Sequence, residues 1–256
     1  MLHGKIDTEG LEFEAILADV SELNHRAMKA ELHMTKLSYH AFAYCSNDYV
    51  LLDAGSALGN NCGPLLIAKQ PLTTQELEES TVAIPGKYTT ANFLFSLAYP
   101  NVKHKEALLF SEIEHAILKN EVKAGVIIHE NRFTYQDKGL IRLLDLGEFW
   151  EANYHMPIPL GGIAVKRDLP LAIQMKINRI MQKSVAYAFE HPGETMPYVS
   201  KYAQEMDKKV MQQHIDLYVN KWTLDLGREG RQAIQTLFAV ALEHQIIPAQ
   251  TKDLFL

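Results

Sequence analysis

His129 closes an unbroken apolar run, Ala124-Gly125-Val126-Ile127-Ile128, and is followed at once by Glu130, Asn131 and Arg132. The run reads as a buried strand, and in α/β sheets ligands gather beyond the carboxyl ends of strands. An imidazole there titrates near neutral pH and, when unprotonated, can take a proton from a bound molecule. A strand-end histidine bonded to backbone is the commoner use of the same pattern, so His129 is a candidate base and not yet a motif. Thr89-Thr90-Ala91 follows the turn Pro85-Gly86-Lys87 and opens a helical pattern. Its N–H groups and hydroxyls suit a carboxylate or phosphate, and plain N-capping is the better reading of the residues by themselves. Lys36-Leu37-Ser38 ends one element and enters the next. Lys36 can pair with an anion and Ser38 can hydrogen-bond to it, against the plainer reading of a solvated lysine and another cap. The loop from Gly55 to Pro64 has the glycines that let backbone approach a ligand closely. Phe149, Trp150 and Tyr154 are either an aromatic slot or ordinary helix packing.

Other chemistries lack their signatures. There is no Gly-x-x-x-x-Gly-Lys-Ser/Thr and no Gly-x-Gly-x-x-Gly, so nucleotide binding is unsupported. No Gly-x-Ser-x-Gly elbow, Cys-x-x-Cys or His-Glu-x-x-His occurs. The two cysteines, Cys45 and Cys62, make no disulfide framework and fit a reducing compartment. Net charge is −6 with no basic run, which argues against nucleic acid as a partner. The opening Met1-Leu2-His3-Gly4-Lys5-Ile6-Asp7 has no apolar signal core, and no apolar stretch is long enough to span a membrane. A cytoplasmic protein with a small-molecule substrate, no nucleic acid and no membrane partner is therefore expected.

The elements that must position these residues follow from periodicity. The chain, with 256 residues of which 47% are hydrophobic, can bury two cores. Leu11 to Leu17 alternates and reads as a strand with one wet face; Ser21 reads as the cap of a short helix. Tyr39 to Tyr44 is helical, and Leu65-Leu66-Ile67-Ala68 is a buried strand. From Thr81 the order is β–α–β–α–β: Thr81 to Ile84, a helix capped by Thr89 or Thr90, a helix over Glu112 to Asn120, and the strand before His129. Such alternation implies a parallel sheet covered by helices. The chain returns near Met156 to Val165 and ends in helices at Leu171 to Phe189, Met196 to Gln204, Lys208 to Tyr218 and Glu229 to His244. The expected architecture is two α/β lobes with a ligand cleft between them, residues 1–80 plus 157–256 forming one and 81–156 the other.

These segments occur in an order that resembles the 1,4-dihydroxy-6-naphthoate synthase family. The matching stretches are Thr35-Lys36-Leu37-Ser38-Tyr39, Gly59 to Leu65, Pro85 to Ala91, Ile127 to Tyr135, Asp145-Leu146-Gly147, Pro159-Leu160-Gly161-Gly162 and Ser184 to Ala188. They span nearly the whole chain, and His129-Glu130-Asn131-Arg132-Phe133-Thr134-Tyr135 is the most specific. The resemblance implies a type II periplasmic-binding-protein-like fold and a carbon–carbon lyase of menaquinone biosynthesis by the futalosine route. That lyase cleaves cyclic dehypoxanthine futalosine to 1,4-dihydroxy-6-naphthoate without a metal or organic cofactor. It further implies His129 as the general base, with Lys36, Leu37, Ser38, Thr89, Thr90 and Ala91 contacting substrate.

One departure goes with it. Family members carry a first strand and a Ser-Pro-Cys-Pro-Asn-Asp-Thr loop ahead of the segment matching Leu2-His3-Gly4. A first lobe without its opening strand is therefore expected, from a misassigned start or a truncated product, with lower stability and weaker activity than a longer chain. Competing readings are a non-catalytic solute-binding protein of the same fold, a sister enzyme that dehydrates chorismate, and the effector domain of a transcription regulator. The His129 stretch argues against the second, and the lack of a helix-turn-helix against the third.

Overall fold

The computed structural model describes residues 1–202 and 207–256. Its elements begin with α1 (Val20–Met28), β1 (Met34–Ser38), α2 (Tyr39–Cys45), β2 (Tyr49–Leu51), β3 (Ala57–Gly59), β4 (Leu65–Ala68) and α3 (Thr74–Glu78). Next come β5 (Val82–Ile84), α4 (Thr90–Ala98), β6 (Lys105–Ala107), α5 (Ile113–Leu118), β7 (Ala124–Ile127), α6 (Asn131–Thr134) and a 3-10 turn at Tyr135–Lys138. The chain closes with β8 (Ile141–Asp145), α7 (Leu146–Tyr154), β9 (Ile158–Lys166), α8 (Leu171–Glu190), α9 (Pro192–Tyr202), α10 (Lys208–Tyr218), α11 (Lys221–Leu224) and α12 (Gly227–Glu243).

Two sheets divide the strands. In the first, the long β9 is central and antiparallel to all its neighbours: β1 on one side, β2 and β3 on the other. Gly161 lets the backbones close up there, since a Cβ on it would lie 2.5 Å from the Leu37 carbonyl oxygen. The second sheet has the order β6-β5-β7-β4-β8. Its β6-β5-β7 half is parallel, as the alternation of strands and helices requires, while β4 runs antiparallel to both its neighbours, β7 and β8. The parallel arrangement expected of the unit from Thr81 to Ile128 is thus present in β5, β6 and β7. β4 brings the chain in from the first sheet and β8 leads it out again, and the reversed β4 is not revealed by a crossover pattern. Leu65–Ala68 accordingly lies in the second sheet, although a boundary near residue 81 would assign it to the first lobe.

Gly63 precedes β4 and Gly147 follows β8, so the two crossings between sheets touch. A Cβ on Gly63 would sit 2.2 Å from the Gly147 nitrogen. One apolar cluster joins Leu37, Tyr39 and Phe42 near the first sheet with Val82, Phe93 and Val126 near the second, and includes Trp150, all nearly inaccessible. Burying each large side chain of this kind contributes about 1.5–3 kcal/mol.

Three local expectations need correction. Leu11 to Leu17 forms no strand. Leu11 and Phe13 pack beside Val50, Leu52 and Val165, but Ile16 and Leu17 stay 47% and 60% exposed. Alternation makes a strand only where a neighbouring ladder receives its N–H and C=O groups, and none does here. The cap of α1 is Asp19, not Ser21; the Ser21 N–H donates to the Asp19 carboxylate at 2.7 Å. The helix expected from Met196 begins at Pro192, whose missing N–H costs nothing in a first turn. Its expected end at Gln204 lies outside the described residues.

Candidate active site

A cavity of about 270 Å³ opens between the two sheets. All seven residues singled out from the sequence line it: Lys36, Leu37, Ser38, Thr89, Thr90, Ala91 and His129. Gly55, Ser56, Ala57, Cys62 and Pro64 of the glycine-bearing loop line it as well.

The first wall is the end of β1. Residues two apart on a strand share a face, so Lys36 and Ser38 look the same way while Leu37 is buried in the main core. The Lys36 ammonium donates to the Gly55 carbonyl at 3.0 Å and has no carboxylate partner among the described residues. Burial pushes its pKa down to about 8, so at pH 7 it is still mostly charged. A buried cation without a counter-ion is costly, and an anionic ligand would supply one. Ser38 is held by Asn24 of α1, which accepts from the Ser38 N–H at 2.9 Å and donates to its hydroxyl oxygen at 3.1 Å. The hydroxyl hydrogen is left to donate toward the cavity.

The second wall is the start of α4. Thr89 caps it: its hydroxyl accepts from the Asn92 N–H and donates to the Gly86 carbonyl at 2.8 Å. The Thr90 hydroxyl donates to the Leu160 carbonyl at 2.6 Å and so ties α4 to β9. Both hydroxyls are therefore committed to the scaffold. The donors left for a ligand are the Thr90 and Ala91 N–H groups, which have no acceptor among the described residues and sit at the positive end of the helix dipole.

The third wall is the end of β7. His129 has φ = 58°, a left-handed conformation unusual for a residue with a side chain, and one that turns the ring out of the strand's line. Phe110 meets that ring edge-on with centroids 5.0 Å apart. Burial lowers the imidazole pKa to about 4; Asp19 pulls the other way and Lys36 adds to the depression. The ring is neutral at pH 7, the form a base needs. Three residues on, Arg132 donates to the Gly63 carbonyl at 2.5 Å and pairs with the buried Asp145 at 2.6 Å. Asp145 in turn accepts from the N–H groups of Gly147 and Glu148 as the cap of α7. The His129 loop is thus clamped to both crossings between the sheets.

The sequence reading missed the fourth wall, His214 and Tyr218 of α10. Their rings stack 4.6 Å apart, and His214 lies 5.8 Å from the ring of His129. The one available signal was the i, i+4 spacing of His214 and Tyr218 on an amphipathic helix, which ordinary packing also produces. Phe149, Trp150 and Tyr154 do not line the cavity; Trp150 is fully buried and stacks on Tyr154 at 4.4 Å.

Two sheets around an interior cavity, joined by adjacent crossings, define the two-lobed solute-binding-protein class. The alkanesulfonate-binding protein of Xanthomonas axonopodis pv. citri superposes over 90% of this chain and 81% of its own with a TM-score of 0.65 at 11% identity, a likeness of fold alone. A crystal structure of a protein from Archaeoglobus fulgidus covers 96% of this chain and 91% of its own, with a TM-score of 0.88 at 37% identity. The model of the menaquinone-biosynthesis family matches residues 1–243, and the chain belongs to that family. It is 40% identical over its whole length to a 1,4-dihydroxy-6-naphtoate synthase of Thermus thermophilus, covering 92% of that protein. It is 38% identical to the protein of the same name from Streptomyces coelicolor, with 99% and 90% of the two chains covered. No helix among the described residues is long and apolar enough to cross a membrane.

Proposed function

We propose that this protein is a 1,4-dihydroxy-6-naphthoate synthase of the cytoplasm, a lyase that cleaves cyclic dehypoxanthine futalosine in menaquinone biosynthesis. The observation that carries the reading is a half-buried ammonium, Lys36, without a carboxylate partner among the described residues, lining the same cavity as a neutral imidazole, His129.

The substrate's carboxylate docks against Lys36, the Ser38 hydroxyl and the Thr90 and Ala91 N–H groups. That contact screens the Lys36 charge, the lesser of the two influences that depress His129 beside burial, and so relieves that part of the depression. His129 then removes a proton from a hydroxyl or carbon next to a carbonyl. The electron pair left behind drives an elimination or retro-aldol cleavage: the carbon–carbon bond to the sugar-derived fragment breaks, and the aromatic ring forms. The protein's tasks are to position one base, hold one anion and exclude water, and it needs no further reactive group for them.

The test is incubation with cyclic dehypoxanthine futalosine and mass detection of dihydroxynaphthoate. Product formation that vanishes in His129→Ala, while substrate still binds calorimetrically, is the expected result. Reversible binding with no product would make the protein a solute-binding protein and overturn the proposal.

A further inference from the structure

Opposite the anion-holding wall, three side chains converge that the proposed reaction does not jointly use. One ligand atom from each of His129, Glu130 and His214 lies within 4.8 Å of the others. All three residues are half-buried, and none of the three side chains makes a hydrogen bond or ion pair among the described residues. The His214 Nε2 is shut off from solvent and has no hydrogen-bond partner among the described residues. Buried polar atoms are normally satisfied, so the orphaned His214 Nε2, with ligand atoms of His129 and Glu130 close by, marks a place where a ligand completes it.

We propose that His129, Glu130 and His214 form a binding site for a borderline divalent cation, Zn2+ above all, and that its occupation silences the His129 base. Two imidazole nitrogens and one carboxylate oxygen are the donors of zinc sites with an open fourth position, whereas calcium and magnesium prefer all-oxygen sets. Tetrahedral zinc at about 2.0–2.1 Å from each ligand needs them about 3.4 Å apart, so side-chain rotations that close the present spacing suffice. Lys36 opposes a cation here, while the Glu130 and Asp19 carboxylates offset it, since both act on these imidazoles in the opposite sense. His129 and His214 line the cavity, and a metal held there takes the lone pair that proton abstraction requires.

The inhibitory half rests on the reading of His129 as base; the binding half does not. Titration of the full chain with ZnCl2, followed by calorimetry against a competing chelator, is expected to give one equivalent bound. Glu130→Gln and His214→Asn should each weaken binding by roughly tenfold or more, because each removes one of only three ligands. Circular dichroism and melting temperature show whether either variant is folded, and Glu130→Gln, on a surface loop, is the safeguard if His214→Asn is not. In turnover assays Zn2+ should inhibit, a chelator should reverse it, and Glu130→Gln should need about tenfold more metal for the same inhibition. No stoichiometric binding, or equal binding in wild type and variants, overturns the site. Zinc binding with no turnover under any condition would leave the site standing and sink the proposed function instead.

Discussion

The two sides of the cavity are built on opposite plans. On the anion side, every polar side chain is fastened: Ser38 to Asn24, Thr89 to Gly86 and Asn92, Thr90 to Leu160, Lys36 to Gly55. On the base side, His129, Glu130 and His214 are held by rings and backbone but by no side-chain hydrogen bond among the described residues. A binding subsite must be rigid before the ligand arrives, since each ordered donor lowers the cost of binding. A base must be free to change its proton count. The difference is one between positioning and chemistry, and substitutions on the two sides should fail in different ways.

The largest effect belongs to His129. His129→Asn should lower kcat by about 10²–10⁴-fold with little change in substrate affinity, measured by steady-state kinetics and calorimetry. The pH profile sharpens the point. Because burial depresses the imidazole to about 4 from an ordinary 6.5, the free enzyme keeps its basic form on the acid side. The acid limb of kcat/KM should therefore fall well below pH 6.5, while that of kcat, reporting the complex with its anion in place, should lie higher. Coincident limbs near 6.5 would mean that His129 is not the titrating base.

Arg132 comes next, and its loss should appear in stability first. Arg132→Ala removes the short ion pair to the wholly buried Asp145 carboxylate, leaving it the Gly147 and Glu148 N–H groups and Arg142 at 3.7 Å, and should cost about 1.5–3 kcal/mol in denaturant unfolding. A large loss of turnover with unchanged stability would place Arg132 in the chemistry and blur the contrast. Lys36→Met works mainly on binding, with a lesser relief of the charge beside His129. Removing one charge-assisted contact should raise the dissociation constant for substrate or product roughly 10–100-fold, with kcat changed much less. An equal drop in kcat would show that the ammonium acts on the transition state.

Much of the anion side was legible in the sequence, and half of the base side was not. Lys36, Ser38, Thr89 and His129 sit where strands stop and helices start, and those boundaries are written in local periodicity and capping residues. The Thr hydroxyls offer themselves in the sequence as caps or as ligand donors, and whether one faces the cavity or a Leu160 carbonyl seventy residues away depends on tertiary packing. His214 escaped for the same reason. It meets His129 across eighty-five positions of chain, through a helix whose pattern shows only that one face is apolar. Sheet membership was hidden too: Leu65–Ala68 was visible as a strand, but its partners β7 and β8 come from far along the chain. Leu11 to Leu17 had the alternation without the partner.

The smallest effect tests whether the anion side is as rigid as its hydrogen bonds imply. Thr89 is buried and its hydroxyl both receives the Asn92 N–H and gives its hydrogen to Gly86, fixing the turn that aims the Thr90 and Ala91 N–H groups. Thr89→Ala removes the cap and should cost about 1 kcal/mol, or a fall of a few degrees in melting temperature for a chain of this size. Thr89→Ser, which keeps the oxygen, should recover most of it. If the subsite depends on that turn, affinity for the substrate carboxylate should fall with Thr89→Ala and return with Thr89→Ser, while kcat stays put. Loss of stability with affinity untouched would show that the helix start holds its donors without the cap. The fastening on this wall would then serve the fold and not the ligand.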